Sequence, residues 1–549
     1  MVAELVRGKD MGLFVGLDIG TTSTKVFVYE RSGKIRGSGK AGYSLLVPEP
    51  GRAEQRPEDI ISAVTEAFRQ AMKNASVKPW DIEAVGVSTA MHSLMAVDGE
   101  GKPLTELITW ADNRSASQQE RLKDSGEAEE LYKLTGTPVH PMSPLCKLLW
   151  WKENKPGLFE KAAKFISIKE YLLHRFFGVY VLDVSLAAAT GLLEVSGKDW
   201  SERALKLAGI GRERLSQVVP VTEVLRGMNP EMAESCGLSP DTPWVVGASD
   251  GALANIGSGA AGLGRTAVTI GTSGAVRRFA SEPLIDPQGR TFCYAFDEKR
   301  WLIGGPTNNG GIALRWFKEQ FMDGAPSGAG ADSRFRGQPE RRQRRGRNHV
   351  VIGPGKQGYA KDGPQTFDEL IGMAMTVPAG ADGLVFLPYL TGERAPYWDP
   401  DARGVFAGAG LHHGRAHFAR AVLEGVLLAV NGVTETLKEL AGPPERLLAS
   451  GGFASSAAWT GLLADIAGVR VDVPDSYEAS AYGAALVAMK ALGAVDSLEQ
   501  ADEHIGIIRS HAPNEANRAM YEKLYPLFKD LYRRMEPLFP QLASMQVRG

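Results

Sequence analysis

The sequence predicts an α/β protein of two related domains facing each other across a cleft. At 549 residues the chain has room for two or more domains, each with its own core. A short apolar run (Phe14, Val15, Leu17) ends in Asp18 and turns through Gly20-Thr21-Thr22-Ser23. The same unit returns at residues 266–270, followed by Gly271-Thr272-Ser273-Gly274. Such an echo suggests a duplicated domain. The small, flexible stretch 257–264 (GSGAAGLG) marks the boundary. The domains are therefore placed at 12–256 and 265–495, with a helical extension at 496–549.

The elements follow in order. Residues 14–17, 25–29 and 34–40 read as a strand meander, with Ser32-Gly33 as a turn. Residues 57–72 have helical spacing, with Glu58 and Asp59 in the first turn, where they suit the helix dipole. A strand at 82–88 precedes a charged helix at 116–131 and helices at 145–151 and 169–177. The strand at 245–247 leads into Ser249-Asp250. In the second half, 416–440 is a long amphipathic helix that packs on the second sheet. A strand at 446–449 reaches Ser450-Gly451-Gly452-Phe453, and a helix starts at Ala458.

Composition is that of a soluble globular protein. A net charge of −2 gives no global field favouring nucleic acid or an anionic membrane. Cys146, Cys236 and Cys293 lie far apart with no CxxC, which fits reduced thiols and argues against a disulfide framework or a structural zinc site. The nine histidines include no HExxH, and the His412-His413 pair suits a loop better than a metal site. The N-terminus lacks the apolar core of a signal peptide, and no run approaches the length needed to span a bilayer. A cytoplasmic location is expected. Segment 323–363 turns from Gly, Ala and Ser to dense arginine at 334–347. It reads as a solvated or disordered loop more readily than a nucleic-acid site, since Phe335 is the one aromatic interleaved in the run 334–347.

Chemistry is concentrated in the turns. Gly20 lets the backbone reverse and approach a ligand closely, and the amides and hydroxyls after it suit phosphate oxygens. Asp18 is placed to hold Mg²⁺. An ordinary hairpin turn is the alternative. The glycines at 451–452 suit a flat ligand packed on the backbone, and equally a plain tight turn. Asp250 at a strand end is either a proton acceptor or a helix cap.

Several motifs together resemble the FGGY family of carbohydrate kinases, of the actin-like (ribonuclease H-like) ATPase fold. DIGTTSTK at 18–25 and TIGTSGA at 269–275 are similar to its two phosphate motifs, and SGGF at 450–453 to its adenosine motif. MSPLCKLLWWKEN at 142–154 and GVFAGAGLHHGRAHFARAVLE at 404–424 resemble its signatures, and LPYLTGERAPYWDPDARG at 387–404 a stretch near the hinge. TGTPVHPMSPLCK at 135–147, WADNRS at 110–115 and NNGG at 308–311 are most similar to the branch acting on gluconate. Segment 323–363 departs from the family, and is either an insertion or a sequence error. Gly461 and Ala409 depart singly.

The resemblance implies an ATP- and Mg²⁺-dependent kinase of a sugar acid or sugar. Asp250 becomes the catalytic base, and Asp18 with Asp250 the metal ligands. Gly20, Thr21, Thr22, Ser23, Gly271, Thr272, Gly305, Gly451, Gly452 and Ser456 line the nucleotide site. Lys25 either neutralises phosphate or is simply solvated. Met91, His92, Asp112, Arg114 and Asn309 are acceptor contacts, with His92 structural in the alternative. Arg114 suits a bidentate carboxylate pair. Lys147 either assists or sits on a helix surface, and Trp110 packs on the sugar or the core. No nucleic-acid or membrane partner is implied, and a homodimer is allowed. The rival substrates are xylulose and other polyols or ketoses. The rival classes are a non-kinase actin-fold ATPase, a sugar sensor, or a nucleic-acid binder through the arginine-rich segment.

Overall fold

The strands Leu13–Ile19 and Ser23–Glu30 pair antiparallel across the first turn, where the Gly20 amide donates to the Ser23 carbonyl at 3.1 Å. This is seen in a computed structural model, which describes residues 12–322, 366–475, 478–500, 502 and 505–546. Strands Arg265–Ile270 and Gly274–Ala280 repeat the unit, with the Gly271 amide donating to the Ser273 carbonyl at 2.9 Å. The arginine-rich segment 323–363 lies outside the described residues.

Each hairpin sits inside a mixed sheet. The first runs Val224–Leu225, Trp244–Ser249, Ile82–Thr89, Leu13–Ile19, Ser23–Glu30, Ile35–Gly42. The second runs Phe292–Ala295, Trp301–Thr307, Gly274–Ala280, Arg265–Ile270, Arg446–Ser450, Val471–Pro474, Ile507–His511. In both, the leading strand pairs antiparallel with the next and parallel with one from much later. The duplicated unit is thus present in both halves. The carboxyl ends of the parallel strands carry Gly20, Asp250, Gly271 and Gly451, as ligand-binding α/β sheets do.

Helix Pro57–Ala75 has proline in its first turn, acids where the dipole favours them, and Ile60, Val64 and Phe68 on its buried face. Helix Arg415–Ala441 covers the second sheet. Contrary to the reading of the sequence, it is long and apolar enough to cross a bilayer, but most of its apolar stretch is buried within the protein. Two further expectations are corrected. The charged helix splits into Ala116–Asp124 and Glu127–Thr135, because Gly126 adopts φ 78° and ends the first helical path. The C-terminal extension opens with a strand, Ile507–His511, which extends the second sheet before helix Glu515–Met535.

Helix Ala479–Ala491 comes from the second half of the chain but packs on the first sheet and on helix Asp250–Gly257. The approach needs glycine. A Cβ on Gly16 would lie 1.9 Å from the Ala481 carbonyl oxygen, and one on Gly86 equally close to that of Ala484. Gly86→Ala is therefore expected to destabilise the protein by about 3 kcal/mol through overpacking, seen as a fall in the urea midpoint at unchanged slope.

Candidate active site

The two hairpins and the strand ends around them enclose a cavity of about 270 Å³. Its lining includes Thr21, Met91, His92, Trp110, Asp250 and Arg277. A second cavity of about 300 Å³ lies beyond the Gly271–Gly274 turn, walled by Gly271, Thr272, Gly452 and Ser456 with Leu314, Phe367 and Phe453. The turn thus borders both cavities.

Thr21 is held by its neighbours: its hydroxyl accepts from Trp110 Nε1 at 2.9 Å and its carbonyl from Gln55 Nε2 at 2.6 Å. Thr22 is exposed, whereas Ser23 is buried at the strand start. The Gly20 carbonyl accepts from the Tyr43 hydroxyl. On the facing hairpin, the Gly271 and Thr272 carbonyls accept from the amides of Gly311 and Gly310, which ties the turn to the start of helix Gly311–Phe317. Gly451 has φ 87°, and a Cβ there would strike the Ile270 carbonyl; Gly452 faces open space. Gly451 thus lets the strands pack, and Gly452 presents bare backbone to the second cavity. The Ser456 hydroxyl accepts from the Trp459 amide and caps helix Ala457–Ala467.

Asp18 lies near the end of strand Leu13–Ile19 and Asp250 follows strand Trp244–Ser249 of the same sheet. Burial and the Asp250 charge push the Asp18 carboxyl up to about 7, against a hydrogen bond from Ser88 at 2.8 Å. Burial also raises Asp250, while Arg277 and the Gly251 amide pull it back down. Two partly buried carboxylates beside a glycine turn suit Mg²⁺, which takes one or two carboxylates plus substrate phosphates. Among the described residues no group of three or more acidic, His or Cys side chains forms a protein-only metal cage.

His92 adopts φ 65°, and its Nδ1 lies 2.8 Å from the Ala189 carbonyl. A carbonyl only accepts, so Nδ1 carries the proton and Nε2 is left as an acceptor. Burial and nearby Lys147 push the ring down to about 3, so it is neutral at physiological pH.

Several expected contacts are placed elsewhere. Asp112 is fully buried and accepts from the Ala53 amide at 2.7 Å and from the Arg114 amide and guanidinium. Arg114 pairs with Asp112 and Glu54 and lies over Trp150, so its fork is already filled. Neither lines the cavity. Lys147 is buried behind it, donating to the carbonyls of His92 at 2.6 Å and Thr109 at 2.8 Å, which fixes two loops of the wall. Asn309 is buried and bonded to Gly392, Thr391 and Glu393. Gly305 lies within a strand, where a Cβ would meet Ala395 and Val433; it is a packing glycine. Lys25 pairs with Glu478 at 2.6 Å. Arg277, Tyr294 and Arg394 line the cavity and were not read from the sequence. An arginine inside a strand carries no local mark of which face it serves.

Residues 13–257 match the N-terminal domain of the FGGY family of carbohydrate kinases, and residues 266–492 its C-terminal domain. The chain is 42% identical to a gluconokinase of Bacillus subtilis (strain 168), over 97% of this chain and 98% of the relative. Two solved structures from Lactobacillus acidophilus, a gluconate kinase and a ligand-bound xylulose kinase, each superpose with a TM-score of 0.87 at 33% identity. Both cover 97% of this chain, and the matches span 99% and 100% of theirs. With both domain models matched in order across the two duplicated sheets, the chain belongs to the FGGY family of carbohydrate kinases.

Proposed function

We propose that the protein phosphorylates D-gluconate with ATP, giving 6-phospho-D-gluconate and ADP. The observation that carries the reading is convergence: Thr21, His92 and Asp250 share one cavity, and the facing turn joins it to a second cavity floored by Gly452. The choice of gluconate rests on the 42% identical gluconokinase. The equal likeness to a xylulose kinase supports a neutral ketose as the second reading.

The nucleotide base lies against Gly452 and Phe453, with its phosphates running over the Gly271–Gly274 turn toward Thr21 and Thr22. Phosphoryl transfer asks for an aligned acceptor, neutralised phosphate charge and a group to take the hydroxyl proton. Asp250 takes that proton from the terminal hydroxyl as its oxygen attacks the γ-phosphorus. His92 Nε2 accepts from another hydroxyl and orients the chain. Asp18 and Asp250 would hold Mg²⁺, which would neutralise the phosphate charge. Closure of the two domains excludes water, which otherwise competes as acceptor. Cys146, Cys236 and Cys293 are buried and unbridged, which suits a reducing cytoplasm. Neither nucleic acid nor membrane is a partner in this reading.

A panel of sugars and sugar acids assayed with ATP tests it. Gluconate is expected to give a kcat/KM at least about tenfold above that of xylulose, glycerol and glucose. A ketose or polyol that outruns gluconate rejects the assignment.

A further inference from the structure

Arg277 is the least explained charged group in the cavity. It lies on strand Gly274–Ala280, opposite Ala267 and Gly304. Its neighbour Arg278 faces the other way and donates to the Gly442 carbonyl at 2.7 Å. The Arg277 side chain instead crosses toward helix Asp250–Gly257. Its Nε would be 2.9 Å from a Cβ on Gly251, so the absence of a side chain there makes room for it. That Nε is buried with no hydrogen-bond partner, and among the described residues Arg277 forms no ion pair within 4.0 Å. Burial pushes the guanidinium down from its ordinary value, and Asp250 only partly restores it.

A second guanidinium faces the same cavity. Arg394 donates from Nε to Asn308 at 2.7 Å and from Nη2 to the Thr307 carbonyl at 3.1 Å, and lies over the Trp110 ring at 5.5 Å. Burial lowers its pKa to about 10, and Arg277 pushes it the same way against neighbouring Glu393. Glu393 is itself occupied, accepting from the amides of Asn308 and Arg394. Two like charges thus share a small space, and the Nε of one of them has no hydrogen-bond partner. A planar fork with free donors is the group that matches a carboxylate.

We propose that Arg277, with Arg394 beside it, binds the carboxylate of the acceptor and so selects aldonic acids over neutral polyols and ketoses. This rests on the gluconate reading of the same cavity and adds the residue that enforces it. The carboxylate lies between the two guanidinium groups, and the hydroxylated chain leads from there to Asp250. A neutral acceptor leaves Arg277 unpaired in a closing site, a loss that discriminates strongly.

The test compares D-gluconate with D-gluconamide, which keeps every hydroxyl and replaces the carboxylate by a neutral amide. kcat/KM is measured with ATP for the full-length wild type, Arg277→Gln and Arg277→Lys. The wild type is expected to prefer the acid by about 100-fold. Arg277→Gln is expected to bring that ratio close to one, mainly by raising KM for gluconate. Arg277→Lys keeps the charge without the fork, covers a Gln variant that does not fold, and is expected to lower the ratio about tenfold. The proposal is overturned if Arg277→Gln slows both substrates equally, which assigns Arg277 to the reacting phosphoryl group, or if both variants keep the wild-type ratio. A wild type that prefers xylulose to gluconate rejects the functional reading instead. A wild type that prefers gluconate and gluconamide alike rejects only the role of Arg277.

Discussion

Asp250→Asn is expected to lower kcat for gluconate phosphorylation by about 1,000-fold or more, because the amide cannot accept the hydroxyl proton. The substitution nearly preserves shape at the start of helix Asp250–Gly257, whose cap is the Ser249 hydroxyl and not Asp250 itself. The cavity proposed for the nucleotide, beyond the Gly271–Gly274 turn, does not include Asp250, so binding of a fluorescent nucleotide analogue without Mg²⁺ should change little. Stability should change little: the amide has no charge to desolvate, while Arg277 loses the favourable charge of Asp250. Single-turnover kinetics with nucleotide affinity measured on the same sample check this. Turnover within tenfold of wild type would remove Asp250 from the role of base.

Asp112→Ala is expected to act on folding first. The Asp112 carboxylate is fully buried and receives the Ala53 amide together with the backbone amide, Nε and Nη2 of Arg114. Deleting it leaves Arg114 with Glu54 as its remaining carboxylate and strips the Ala53 amide of its acceptor. Removing one partner of a buried ion pair costs about 3–5 kcal/mol. Urea unfolding should show a loss of that size. Residual folded enzyme should bind gluconate less tightly only as far as the Trp110 loop loosens. The family resemblance gives the opposite expectation: a large rise in KM with stability unchanged. The two outcomes separate cleanly.

The hairpins were legible because their signal is local: an apolar run, an acid, then Gly-Thr-Thr-Ser or Gly-Thr-Ser-Gly within one turn. Helix Arg415–Ala441 was legible by length and period. Asp250, Met91 and His92, next to strand ends, were reached through the family resemblance, and the structure brings them to one cavity. That Asp112 and Arg114 do not line the cavity was hidden in the sequence, because the groups that occupy them, Ala53 and Glu54, lie about sixty positions earlier. Lys147 met the same difficulty: a lysine on a helix gives no hint that its tip reaches the His92 and Thr109 carbonyls. The break at Gly126 and the strand Ile507–His511 depend on what lies alongside, so periodicity within one segment could not show them. Arg277 and Arg278 look alike in the sequence; the strand's alternation sends them to opposite faces, and the space over Gly251 receives Arg277.

The packing of helix Ala479–Ala491 on the first sheet bears on synthesis. The ribosome delivers strands Leu13–Ile19, Ile82–Thr89 and Trp244–Ser249 long before it delivers the helix that lies across Gly16 and Gly86. The nascent first domain therefore waits with one apolar sheet face uncovered until Ala491 has left the exit tunnel. A polypeptide ending at the boundary near Gly257 should be poorly soluble when made alone. Supplying residues 258–549 as a separate chain should rescue it, with the two fragments assembling only together.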